Sequence, residues 1–237
     1  MLNPAIEGKR PIKRSRVKRI TLVVGFVFVQ AAVLFASAGT FTWWRAWIYI
    51  SFYVVILVVT SISVFKINPE LIGHRAKIKS DTKRFDKVFY MIFTPILFIM
   101  LVIAGFDAVR FQWSFMPGSL AVAGIAMGVP AYSVILWAMV TNTHFESTVR
   151  IQKDRNHQVV TTGPYQYVRH PGYVGMIFMY SGIPLILGSW WAFAPDFVLI
   201  VLVIIRTALE DSTLQRELPG YIEYATATRY RLLPGIW

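Results

Sequence analysis

The chain has no cysteine. A disulfide framework, a thiolate nucleophile and a cysteine metal site are all excluded. Charge is also scarce: Asp, Glu, Lys and Arg make up 15% of the residues, against about 25% in an ordinary soluble domain. Acids are the scarcest of all, 12 against 24 basic residues. No G-x-G-x-x-G or G-x-x-x-x-G-K-[ST] loop is present to cradle a nucleotide. The four histidines, His74, His144, His157 and His170, stand apart without ligand spacing, so no metal site is expected. No apolar run alternates with period two, which excludes a β-barrel.

What fills the sequence instead is apolar. Hydrophobic residues make up 56% of the 237 and aromatic residues 15%, and the mean hydropathy is +0.54. A chain with so little polar surface has lipid as its main solvent. In lipid, a helix meets its own backbone hydrogen-bond demand and an open sheet does not. Six apolar runs stand out, at about 20–39, 46–65, 88–106, 119–141, 173–188 and 190–205. The last two are short and meet at Gly188-Ser189-Trp190, so they read as a helical hairpin. The expected fold is an all-α integral membrane protein of about six transmembrane helices. Gly124 and Gly128 have the spacing of close helix packing.

The net charge of +12 would suggest nucleic acid in a soluble protein. Its distribution argues otherwise. Segments 1–19, 66–87, 142–172 and 206–237 hold 22 of the 24 Lys and Arg, and these segments alternate onto one side of the membrane. Only Arg45 and Arg110 fall on the other side. The positive-inside rule then puts both termini in the cytosol. No nucleic-acid partner is expected; membrane lipids are. The chain divides into a basic cytosolic arm (1–19), a four-helix membrane region (20–141) and a polar-flanked core (142–237).

Chemistry-bearing residues gather in two cytosolic segments, 142–172 and 206–237. Gly163-Pro164 and Pro171-Gly172 mark turns, and Pro171 can open the helix that follows. Between the turns lie Tyr165, Tyr167, Arg169 and His170. An interfacial aromatic belt with one snorkelling arginine would account for them, and so would a binding site. In the second segment Arg206 and Glu210 share a helix face at i and i+4, with Asp211 beside them. That pattern fits a helix-end ion pair. It also fits a site, because charges at the membrane end of a span are expensive unless buried or lining a cavity. The tail through Tyr221 and Tyr224 reads as an amphipathic cap on the interface.

The stretch GPYQYVRHPGYVG, followed by RTALEDSTLQRELPGYIEYATATRYRLLPGIW, resembles the isoprenylcysteine carboxyl methyltransferase family of integral-membrane methyltransferases. The wider group includes phospholipid N-methyltransferases. The shared pattern is G-x-Y-x-x-x-R-H-P-x-Y-x-G, a helical hairpin, R-x-x-x-E-[ED] and a Y-x-x-Y tail, over residues 150–237. Here the second acid of the Glu-Glu pair is Asp211.

The resemblance implies S-adenosylmethionine as cofactor, in a cytosol-facing pocket built from 142–172 and 206–237. It implies cofactor contacts from Gln152, His157, Gln158, Val159, Val160, Tyr165, His170, Pro171, Gly172, Tyr173 and Glu210. It implies catalytic roles for Arg169, Arg206 and Asp211, with the arginines orienting a substrate carboxylate. The substrate would be lipophilic and enter from the bilayer. A carboxylate acceptor is the first reading, and a phospholipid amine or small thiol is the alternative. A transporter fits less well, since no inverted repeat is visible, and a scaffold would not explain the clustering of polar residues.

Overall fold

The computed structural model describes residues 10–67 and 79–237. Among the described residues seven α-helices follow in chain order: α1 (Arg10–Ala38), α2 (Trp44–Ile67), α3 (Arg84–Gly105), α4 (Ser119–Thr141), α5 (Pro171–Leu187), α6 (Phe193–Glu217) and α7 (Tyr221–Ala227). A π-helical stretch, Phe106–Arg110, extends α3. Among the described residues there is no strand. Thr21–Ala38, Trp44–Ile67, Arg84–Arg110 and Ser119–Thr141 are long and apolar enough to cross a membrane, by length and composition. The architecture is that of an all-α integral membrane protein.

Several boundaries differ from the expectation. Residues 1–9 of the basic arm lie outside the described residues, and α1 begins at Arg10, inside it. Lys and Arg are good helix formers, so a run of them does not end a helix. Of the connector 66–87, residues 68–78 also lie outside the described residues. Residues 79–83 are ion-paired to the loop after α4: Lys79 meets Asp154 at 2.9 Å and Asp81 meets Arg150 at 3.0 Å.

Close helix contact follows the small residues. An added Cβ at Gly124 of α4 would sit 2.7 Å from the Gly182 carbonyl oxygen of α5. An added Cβ at Gly175 of α5 would approach the Ala131 carbonyl oxygen more closely still. Without a hydrophobic driving force between helices in lipid, such approach and the dispersion it permits hold the pair together. Pro171 occupies the first turn of α5, where its missing N–H costs nothing. Gly188 ends that helix at φ 83°, a conformation only glycine adopts freely. The chain turns there and returns as α6, the second arm of the hairpin.

The tail folds inward. Tyr221 and Tyr224 of α7 are buried against Ala138, Tyr165 and Leu218. Arg169 and His170 donate their backbone N–H groups to the carbonyls of Tyr230 and Arg231. An amphipathic cap on the lipid interface would point these tyrosines into the membrane. Here the aromatic faces close the protein over its own loop, because a buried phenol needs a partner and Tyr165 O supplies one to Tyr224 at 2.7 Å.

Candidate active site

At the end of the bundle that carries the basic segments is a cavity of about 520 Å³. The loop between α4 and α5 forms one wall. α3, the start of α5 and the end of α6 form the rest, and α7 closes over them. Its size is in the range of small-molecule sites.

The loop is held by one arginine. Arg150, only 3% exposed, meets Glu146 through Nε at 2.8 Å, Asp154 at 2.7 Å and Asp81 at 3.0 Å. The hydrogen bonds it donates to Glu146 lead the causes that hold its guanidinium above its usual range. Gln152 works the same way. Its Nε2 donates to the His144 carbonyl at 2.6 Å, and its Oε1 accepts from Arg155 Nη1 at 2.9 Å. Asn156 at φ 50° closes the short turn Lys153–Arg155, a backbone conformation asparagine tolerates. His157 stacks on His144 with ring centroids 4.5 Å apart. Burial, and then the neighbouring His144, pushes His157 down to about 4.

Further along, Tyr165 is buried with its hydroxyl accepting from Asn142 Nδ2 at 3.2 Å. Burial raises its pKa, so it stays a neutral phenol. Gly172 matters by what it lacks: a Cβ there would meet the Phe145 ring at 2.9 Å. Tyr173 donates a short hydrogen bond to Glu210 Oε2 across the cavity.

All of Gln152, His157, Gln158, Val159, Val160, Tyr165, Arg169, His170, Pro171, Gly172, Tyr173, Arg206 and Glu210 line this one cavity. Asp211 does not. It is fully buried behind the wall. Arg169 grips it with Nε at 2.7 Å and Nη2 at 3.0 Å. Arg231 Nε at 2.8 Å, Tyr221 OH at 3.0 Å and Gln215 Nε2 at 2.7 Å complete the shell. His170 Nε2 also turns to Asp211, at 3.2 Å. Asp211 therefore bonds Arg169 and His170 from behind and has no face toward the cavity. The reason is helical: Glu210 and Asp211 are one residue apart and point about 100° away from each other.

Arg206 and Glu210 do not pair with each other. Arg206 instead meets Asp86 of α3, 2.8 Å from Nη2, and donates to the Ser147 carbonyl at 2.9 Å. Its guanidinium lies over Phe89, Tyr90 and Tyr173, 4.5 to 5.2 Å from the ring centroids. Nε alone is buried without a hydrogen-bond partner. The two arginines thus bring their own buried carboxylates, Asp86 and Asp211. Sequence reasoning missed Asp86 and Tyr90, because only tertiary packing carries α3 into the site. Asp86 left one signal: it is an acid at the membrane end of a span, flanked by basic residues. Among the described residues no group of three or more His, Asp or Glu could hold a metal ion.

No curated protein matches the chain significantly. The family model for phospholipid methyltransferase matches residues 119–219, from the start of α4 to just past α6, so the stretch that frames this cavity is similar to an integral-membrane methyltransferase domain.

Proposed function

We propose that the chain is a membrane-embedded S-adenosylmethionine-dependent methyltransferase with a lipophilic acceptor. One observation carries the reading. Glu210, held by Tyr173, and the side chain of Arg206 line one cavity, with Val159, Val160 and Tyr165 giving it an apolar and aromatic face. The donor set fits the cofactor. Glu210 would take its ammonium, and Val159, Val160 and Tyr165 supply an apolar and aromatic slot for its adenine. His170 is committed to Asp211, which leaves the cofactor carboxylate to backbone amides of the loop.

S-adenosylmethionine supplies an electrophilic methyl on a sulfonium. The protein's part is to position the acceptor in line and to keep water out. An arginine on the cavity lining suits an acceptor carboxylate, which is ionised at neutral pH and needs no general base. Transfer would join a carboxylate oxygen to the methyl carbon as the sulfur–carbon bond breaks. The second reading, a phospholipid amine, is favoured by the family match over 119–219. It requires a base, and Glu210 is an acid on the cavity wall; Glu146, also on the wall, is held by Arg150.

Product chemistry separates the two. Membranes containing the protein are incubated with cofactor labelled in the methyl group, and the lipid product is treated with alkali. Release of volatile label marks an ester; retained label marks an amine or thioether. Unlabelled lipid in both fractions would remove the methyltransferase reading. Substituting Arg206 would be a poorer test. It strands Asp86 in the interior and lowers activity whatever the acceptor.

The same reading includes six spans with both termini and the cavity on the cytosolic side, supported by the 22-to-2 division of Lys and Arg. Reporters that require the cytosol should be active at both ends. Activity at one end alone would mean that α5 and α6 do not both cross.

A further inference from the structure

The loop segment Ser147–Val149 forms part of the cavity wall but belongs to no helix or strand. A backbone without a ladder must find its hydrogen bonds elsewhere. It finds them on the start of α3. Lys83 is the N-cap of that helix, and Asp86 is its third residue. An acid at that place ordinarily reaches back to the N-cap N–H. Here one loop residue takes both groups. The Lys83 N–H donates to the Val149 carbonyl at 3.0 Å, and the Val149 N–H donates to Asp86 Oδ2 at 2.9 Å. One turn further along α3, the Tyr90 hydroxyl donates to the Ser147 carbonyl at 2.6 Å.

Asp86 is fully buried and is not among the residues that line the cavity. Its second oxygen, Oδ1, stands 2.8 Å from Nη2 of Arg206, and the same Nη2 donates to the Ser147 carbonyl at 2.9 Å. One oxygen of the carboxylate is thus on the loop wall. The other is on a charged residue of α6 that lines the cavity. Neither Arg206 nor Val149 shifts without stretching a contact to this one side chain.

We infer that Asp86 is a positioning residue for the transfer: it holds Arg206 and the Ser147–Val149 wall in fixed register. The start of α3, outside the family match over 119–219, is then part of the working site. The inference rests on the methyltransferase reading. An in-line displacement is sensitive to small displacements of the groups that orient its reactants. The competing account is that Asp86 only neutralises a buried charge. That account gives the Val149 bond no part, and it makes the effect of Asp86 one of stability alone.

Two variants separate the two contacts. Asp86→Asn keeps an oxygen for the Val149 N–H and gives up the charge that holds Arg206. Asp86→Ala gives up both. Exchange of the Val149 amide with deuterium is read on the full chain in detergent, without cofactor. It should stay within about threefold of native in Asp86→Asn and quicken about tenfold or more in Asp86→Ala, as for an amide released from its hydrogen bond. Transfer is read as label passed from methyl-labelled cofactor to the lipids of membranes that contain the protein, per unit of folded protein. Asp86→Asn should lower it about tenfold or more. Arg206→Gln should do the same, and the double variant should be about as slow as the slower single one, because the two residues act as one unit. Effects that multiply, transfer by Asp86→Asn close to native, or native exchange in Asp86→Ala would each overturn the inference. If Asp86→Ala does not fold, Asp86→Ala with Arg206→Met removes both charges, which buried pairs often tolerate. The Val149 amide should exchange fast there too. No label from the native protein would strike the methyltransferase reading and with it the role in transfer, while quickened exchange in Asp86→Ala would leave the hold on the loop standing.

Discussion

The two ends of the helical bundle use the same residues to opposite effect. At the end with few basic residues, Arg45 is buried and donates to the carbonyls of Met116 at 2.7 Å and Leu185 at 3.2 Å. Asp107, fully buried, accepts from Ser189 at 2.6 Å and Ser114 at 2.8 Å. These bonds tie the loop before α4 to the hairpin turn and shut that end. At the basic end, Arg169 and Arg206 are equally buried, but their bonds run to Asp211 and Asp86 behind the wall, and a cavity of about 520 Å³ stands in front. Buried charge is hydrogen-bonded at both ends, to neutral groups at the closed end and to opposite charge at the basic one. What differs is whether the paired groups fill the space between helices or frame it.

Breaking the frame should cost most. Asp211→Asn leaves Arg169 and Arg231 without their carboxylate, and losing one partner of a buried ion pair costs about 3–5 kcal/mol. Thermal unfolding in detergent should show a large drop in Tm together with loss of cofactor binding. A Tm close to native would mean that the shell around Asp211 carries little stability. Arg45→Ala should come next. It strands two carbonyls at the closed end, for about 2–3 kcal/mol of stability, yet cofactor Kd should stay within about twofold of native. A large change in Kd would show that the two ends are coupled.

Glu210→Gln should do the reverse. Cofactor Kd is expected to rise about tenfold or more, worth about 1.4 kcal/mol, with Tm almost unmoved, as calorimetry and unfolding on one preparation would show. Unchanged affinity would remove Glu210 from the site.

The smallest effect is a pH dependence from His157. Burial and His144 lower its pKa from 6.5 to about 4. The unfolded loop then takes up a proton at higher pH than the folded loop does. Stability from this residue is full above about pH 6.5 and is lost as pH falls toward 4. Thermal stability should therefore fall between about pH 7 and 5, while cofactor affinity, set by a residue still mostly neutral at pH 5, should hardly change. His157→Gln should flatten that slope. A slope equal to native would assign the dependence to another group.

Much of the cavity wall was legible because its segments are local. The run from Tyr165 to Tyr173 carries its own turns and helix start, so the pattern of types already contains the geometry. Arg206 and Glu210 were legible as a helix face but not as partners. Each found a better contact on another helix, Asp86 and Tyr173, and no i, i+4 rule sees those. Gln152 was read as a cofactor contact, yet its amide is also spent at both ends on the loop itself.

By itself the sequence determined the helical class, the membrane, the division of charge between two sides and the segments that carry polar chemistry. Each of these depends on composition and period along the chain, which lipid enforces residue by residue. Only the tertiary structure decided which of two adjacent acids faces the cavity and that α3 supplies Asp86. Those facts depend on how helices distant in sequence are rotated and packed against one another. Close contacts such as Gly124 against Gly182 set that rotation, and no local pattern encodes it.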